Sequence, residues 1–187
     1  NPISWRYPLV EALTGVAFAL VAWHFGFGWA ALGAMILTAF LVAMIFIDAQ
    51  TQLLPDQLTL PLLWLGLLFN LAHIYTDLPN AVLGAAVGYM ALWTLFQVFK
   101  LITGKEGMGF GDFKLLAAFG AWLGVASLPI IVLMSSLVGL IFALLMRVSK
   151  GQAMPFGPYL AISGWLVLMF QQPIMQGVNW WLTKSGF

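Results

Sequence analysis

Long apolar runs, each ended by a short cluster of polar or turn-forming residues, recur along the whole chain. A helix crosses a bilayer core with about 20 mostly apolar residues, and somewhat fewer can suffice. Seven runs fit, at roughly 9–27, 29–47, 57–76, 80–102, 112–126, 128–146 and 158–172. The 112–126 run is short, and Ser127, Leu128 and Pro129 turn it directly into the next. The pattern predicts an all-α, polytopic transmembrane helix bundle of about seven spans. No Ser/Gly linker, low-complexity tract or internal repeat breaks the series, so residues 1–187 are expected to form a single domain.

Composition narrows the class. Apolar residues make up 63% of the chain and charged residues 7%, against about half and about a quarter in soluble domains. Because the runs fill the chain, a soluble enzyme with one anchor is excluded. A net charge of +1 gives no reason to expect nucleic acid as a partner, whereas membrane lipid is expected. With no Cys, these residues hold no disulfide framework and no thiolate metal site. The chain starts at Asn1 and shows no signal peptide, so an upstream N-terminal portion is expected to be missing.

The basic residues set the orientation. With the N-terminus in the cytoplasm, Arg6, Lys100, Lys105, Lys114, Arg147 and Lys150 are inside and only Lys184 is outside. The 48–56, 103–111 and 147–157 loops then face the cytoplasm. Glu11, Asp48, Asp56, Glu106 and Asp112 gather on that side, leaving Asp77 outside. Carboxylates in or beside a membrane are costly unless paired, hydrated or neutralised, which makes them functional candidates.

Asp48 directly follows Ile45, Phe46 and Ile47 at the end of the second run. Asp112 follows Gly111 at the start of the fifth, 64 residues later. The two thus reach one membrane depth from different helices. Neighbouring carboxylates do not both ionise easily and tend to share a proton. Such a pair lets one member activate water while the other polarises a scissile carbonyl. Asp48 ends a helix and Asp112 begins one, and each helix end contributes roughly 0.3–1 kcal/mol. The shared proton is therefore expected on Asp48, with the charge on Asp112.

The stretches IDAQTQLLPDQLT (47–59), GFGDFKLL (109–116) and PFGPYLA (155–161) resemble, in order, the motifs of the type IV prepilin peptidases. ISWRYPLVEALTG (3–15) is similar to the segment after the zinc-binding loop of the longer bacterial members. This resemblance implies a polytopic aspartic protease of the bacterial inner membrane, with Asp48 and Asp112 as its catalytic pair. It implies cleavage of prepilins or pseudopilins after a short basic leader, at the cytoplasmic face. Longer members also methylate the new N-terminus with S-adenosylmethionine. The zinc-loop cysteines and one preceding span are absent here, so S-adenosylmethionine and zinc are expected only with the missing portion. Proteolysis itself is expected to need no cofactor, and no His/Asp/Glu spacing marks a metal site.

Around the pair, several residues keep two readings. Asp56, after Pro55, reads first as a helix start, though the family pattern includes it. Lys114 either snorkels to the interface or tunes the pair and contacts substrate. Glu11 either favours the positive end of the first helix or meets a basic leader. Pro155 and Gly157 either form a loop before the last helix or lie beside the active site. Gly109 and Gly111 are expected to give an extended substrate room, since glycine permits close backbone approach. The nine Trp are expected mostly at the interfaces or facing lipid. Two rival classes stand: a proton-coupled transporter using the clustered acids, and a methyltransferase or binding scaffold without proteolysis.

Overall fold

The computed structural model describes residues 5–104, 109–145 and 156–184. The described elements are helices: α1 (Arg6–Phe25), α2 (Trp29–Thr51), α3 (Asp56–Leu71), α4 (Leu78–Thr103), α5 (Phe110–Leu123), α6 (Leu128–Leu145), α7 (Gly157–Met169) and α8 (Gln171–Lys184). A 3-10 turn, Val125–Ser127, joins α5 to α6. Seven helices therefore occupy the seven apolar runs. Four stretches are long and apolar enough to cross a membrane: Tyr7–Phe25, Trp29–Thr51, Leu78–Thr103 and Val125–Leu145. By that measure α3, α5 and α7, at 16, 14 and 13 residues, fall short of the seven full spans expected.

The shortness of α5 has a physical reason. Fourteen residues rise about 21 Å at 1.5 Å each, less than the hydrocarbon core of about 30 Å. Yet eleven of the fourteen are buried, because α3, α4 and α7 enclose this helix. A helix surrounded by protein need not match the bilayer, since its ends meet other chain segments instead of lipid.

Small residues let the helices close around α5. Gly84 and Gly88 form a small-xxx-small step on α4, in one stripe with Ala81, Leu92 and Phe96. A Cβ on Gly84 would overlap the Gly120 carbonyl, and one on Gly120 would overlap the Gly84 carbonyl. The two backbones therefore touch, which is how helices gain packing energy in lipid. Gly66 of α3 accommodates the Trp122 indole, and Gly164 of α7 accommodates the Phe119 ring.

One end of the bundle is tied by Asn70, which is fully buried. Its Nδ2 donates to the carbonyls of Ala121 and Trp122 at 2.8 and 2.9 Å. Its Oδ1 accepts from the backbone of Tyr75 and Thr76 at 3.0 and 3.1 Å. Trp122 Nε1 donates to the Leu62 carbonyl at 2.8 Å, so this Trp is core, unlike the exposed Trp5, Trp23 and Trp29. Tyr75 donates its hydroxyl to the Ala30 carbonyl at 2.5 Å. Burial there pushes the Tyr75 phenol above its ordinary range. Gly124, at φ +82°, stops α5 just beyond this clamp.

Helix α8 was not anticipated, since its run of Gln, Asn, Thr and Lys breaks the apolar pattern. Trp180 and Trp181 are exposed on it, and Lys184 Nζ lies 4.7 Å from the Trp180 ring. Amphipathic, Trp-bearing helices of this kind suit a membrane interface.

Candidate active site

Asp48 and Asp112 meet at the end of the bundle opposite the Asn70 clamp. The apolar run suggested that α2 stops before Asp48, but the helix continues to Thr51 and Asp48 lies in its last turn. Gln52 then takes a left-handed conformation and returns its N–H to the Asp48 carbonyl at 2.8 Å. This reversal fixes the Asp48 backbone while its side chain turns inward. Asp48 is only 4% exposed and Asp112 only 6%.

Asp112 sits at the third position of α5, whose N-cap is Gly109. The Gly109 amide lies beside the Asp112 carboxyl, in the position that the reciprocal half of a capping box uses. Asp112 thus serves the helix start while presenting its carboxyl to Asp48, with which it interacts electrostatically.

A third helix completes the site. The backbone amide of Gly157, first residue of α7, lies beside the Asp48 carboxyl. A Cβ at Gly157 would overlap Asp48 Oδ2. That oxygen is buried and makes no hydrogen bond among the described residues. The asymmetry expected from α2 and α5 considered only those two helix ends. The positive end of α7 also bears on Asp48, so each aspartate faces one N-terminal amide.

The other expected site residues divide. Asp56 opens α3 without a side-chain cap bond and instead pairs with Lys114 Nζ at 2.5 Å. Lys114 is therefore occupied by Asp56, at the edge of the pair. Gly111 does not make open room, because a Cβ there would lie 2.5 Å from Leu54 Cβ. At Gly109, among the described residues, a Cβ would meet only Asp112 Oδ2, at 3.8 Å. Glu11 is exposed and beyond the first turn of α1, which starts at Arg6 and holds no acid there. Pro155 lies outside the described residues. His24 ends α1, away from the pair. No cluster of three or more metal-ligating side chains occurs among the described residues.

Beside the pair runs an apolar slot of about 310 Å³ between α1, α2 and α7. Leu13, Ala17, Leu41, Ile45, Ala161 and Trp165 line it. Ile45 is one helical turn from Asp48, and Ala161 one turn from Gly157. Trp165 Nε1 donates to Thr38 Oγ1 at 3.0 Å across the slot.

Sequence reading missed Leu54, which touches the glycines beside both aspartates. Its position inside TQLLPD was visible, but an aliphatic side chain carries no chemical signal.

A polytopic helix bundle with two buried, mutually facing carboxyls defines an integral membrane protein with an acid pair fit to handle a proton. The model of the type IV leader peptidase family matches residues 35–144, and the chain belongs to that family. The match includes Asp48, Asp56, Gly109, Gly111, Asp112 and Lys114. A prepilin leader peptidase/N-methyltransferase of Neisseria gonorrhoeae is 58% identical over 181 residues, 97% of this chain and 63% of that protein. Proteins of the same name from Aeromonas salmonicida and Pseudomonas aeruginosa are 56% and 53% identical. Those alignments cover 97% and 99% of this chain, and 62% and 64% of the relatives. The chain thus spans a little under two thirds of the length of these curated relatives. The transporter reading gains no support from them. No solved structure matches the chain.

Proposed function

We propose that this chain forms the proteolytic part of a membrane aspartic endopeptidase, with Asp48 and Asp112 as its catalytic pair. The observation that carries this reading is the convergence of two buried carboxyls from α2 and α5. Lys114, the cation nearest Asp112 in sequence, is engaged by Asp56. The pair is thus suited to hold a single proton between its members.

In the reaction, the ionised carboxylate takes a proton from water as the water oxygen adds to the scissile carbonyl carbon. The protonated carboxyl stabilises the developing oxyanion by hydrogen bonding. As the tetrahedral intermediate collapses, the C–N bond breaks and the leaving nitrogen takes a proton from the pair. One carboxyl again carries a proton, so the site returns to its starting state.

The names of the relatives make a prepilin or pseudopilin the proposed substrate. Its basic leader would remain in the cytoplasm, its apolar segment would enter the bilayer beside the α1–α2–α7 slot, and the cut would fall at their junction. The basic-residue bias supports a cytoplasmic site in a bacterial inner membrane. Proteolysis in this reading needs no cofactor. N-methylation, with S-adenosylmethionine and zinc, is proposed only for an intact protein with the additional residues of the longer relatives. Incubating the intact protein with a prepilin in detergent should release the leader as one peptide, identified by mass. No release by a folded wild-type protein would overturn the reading.

A further inference from the structure

We propose that Leu54 is a positioning residue that sets the separation of Asp48 and Asp112. This rests on reading the two aspartates as the catalytic pair. Gly111 immediately precedes Asp112, and a Cβ on it would lie 2.5 Å from Leu54 Cβ and 3.1 Å from the Leu54 carbonyl oxygen. Gly157 abuts the Asp48 carboxyl, and a Cβ on it would lie 3.0 Å from Leu54 Cδ1. One side chain thus rests its base on the Asp112 helix and its tip on the helix that meets Asp48.

The wedge is fixed at its own root. Leu54 lies between Gln52, left-handed at φ 54°, and Pro55, whose ring holds φ at −71°. It is half-buried and packs on the core, whereas neighbouring Leu53 is 70% exposed. Both glycines that touch Leu54 lack the Cβ that would push it away. Bulk beyond Cβ at position 54 therefore sets how closely α7 approaches α5 around the pair, since the contact with Gly111 is made by the Leu54 Cβ and backbone.

Separation matters because the coupling of two charges falls with distance. That coupling divides the titration of a carboxyl pair into two macroscopic steps. Among the described residues, the charged groups at this end are Asp48 on α2, Asp112 on α5, the Asp56–Lys114 pair joining α3 to α5, and Lys100 on α4, whose Nζ lies 5.7 Å from the Phe96 ring. On α7 the nearest titratable side chain, Tyr159, packs against Phe142 of α6 at 5.5 Å between ring centroids.

The test compares Leu54→Ala, Leu54→Met, Leu53→Ala and Asp48→Asn in the intact protein with a prepilin substrate. Displacing a catalytic group by about 1 Å can lower the rate about 100-fold. Leu54→Ala should lower kcat by roughly 10- to 100-fold, keep KM near wild type, and, by letting the carboxyls come closer, widen the bell-shaped pH–rate profile. Leu54→Met should restore most of the rate, and Leu53→Ala should match wild type. A folded Leu54→Ala with the wild-type kcat and pH profile would overturn the proposal. If Leu54→Ala does not fold, Leu54→Val should show a smaller loss with a smaller widening, and a wild-type profile there would also overturn it. An active Asp48→Asn would instead refute the underlying pair. An inactive Asp48→Asn beside a wild-type-like Leu54→Ala refutes the Leu54 role alone.

Discussion

Replacing Asn70 by Ala should destabilise the protein strongly while sparing its chemistry. The side chain makes four hydrogen bonds, at 2.8, 2.9, 3.0 and 3.1 Å, and is wholly buried. Each is worth about 1 kcal/mol net, and a buried group left without a partner costs about 1–3 kcal/mol. Four losses give about 4 kcal/mol, and for a chain of this size about 2–4 °C of Tm accompanies each kcal/mol. The expected fall in Tm is therefore about 8–16 °C in detergent, followed by circular dichroism. Asn70→Asp should fall at least as far, because it sets carboxylate oxygens against the Ala121 and Trp122 carbonyls. Activity per folded molecule, measured well below the new Tm, should stay near wild type because Asn70 ties the end opposite the pair. A Tm drop under about 3 °C would refute the reasoning.

Four further substitutions probe other links. Gly120→Ala forces a methyl into the Gly84 backbone, so α4 and α5 must separate, and the yield of folded protein should collapse in size-exclusion chromatography. Gly157→Ala displaces the Asp48 carboxyl and should lower cleavage by about 100-fold or more. Among the described residues Gly109→Ala meets only an ordinary contact at 3.8 Å, so its loss in the same assay should be far smaller. Breaking the Asp56–Lys114 pair with Asp56→Asn should cost about 0–1 kcal/mol, as for other exposed ion pairs, visible as a Tm shift of a few degrees at most.

The helices were readable because apolar runs of membrane length need no tertiary information to be recognised. Their exact reach was not, since Asp48 is polar and appeared to end α2, while Gln52 closes the helix one turn later. The brevity of α5 was visible as a short run, but its central burial was not, because glycine and alanine reveal packing only once a partner backbone is present. The acid pair was legible from position and from the family motifs. Gly111 was expected to make room and proves instead to be filled by Leu54. Asn70 carried no signal, because a single buried amide has meaning only through the four backbone groups it reaches.

Rates of prepilin cleavage by intact wild type, Asp48→Asn and Asp112→Asn, each verified as folded, bear on the proposed pair itself. Both amides keep the side-chain shape while removing the shared proton chemistry. Each single variant should lose at least about 1,000-fold, and the double variant should lose little more, as expected of residues acting as a unit. Wild-type cleavage by either single variant would contradict an Asp48–Asp112 catalytic pair.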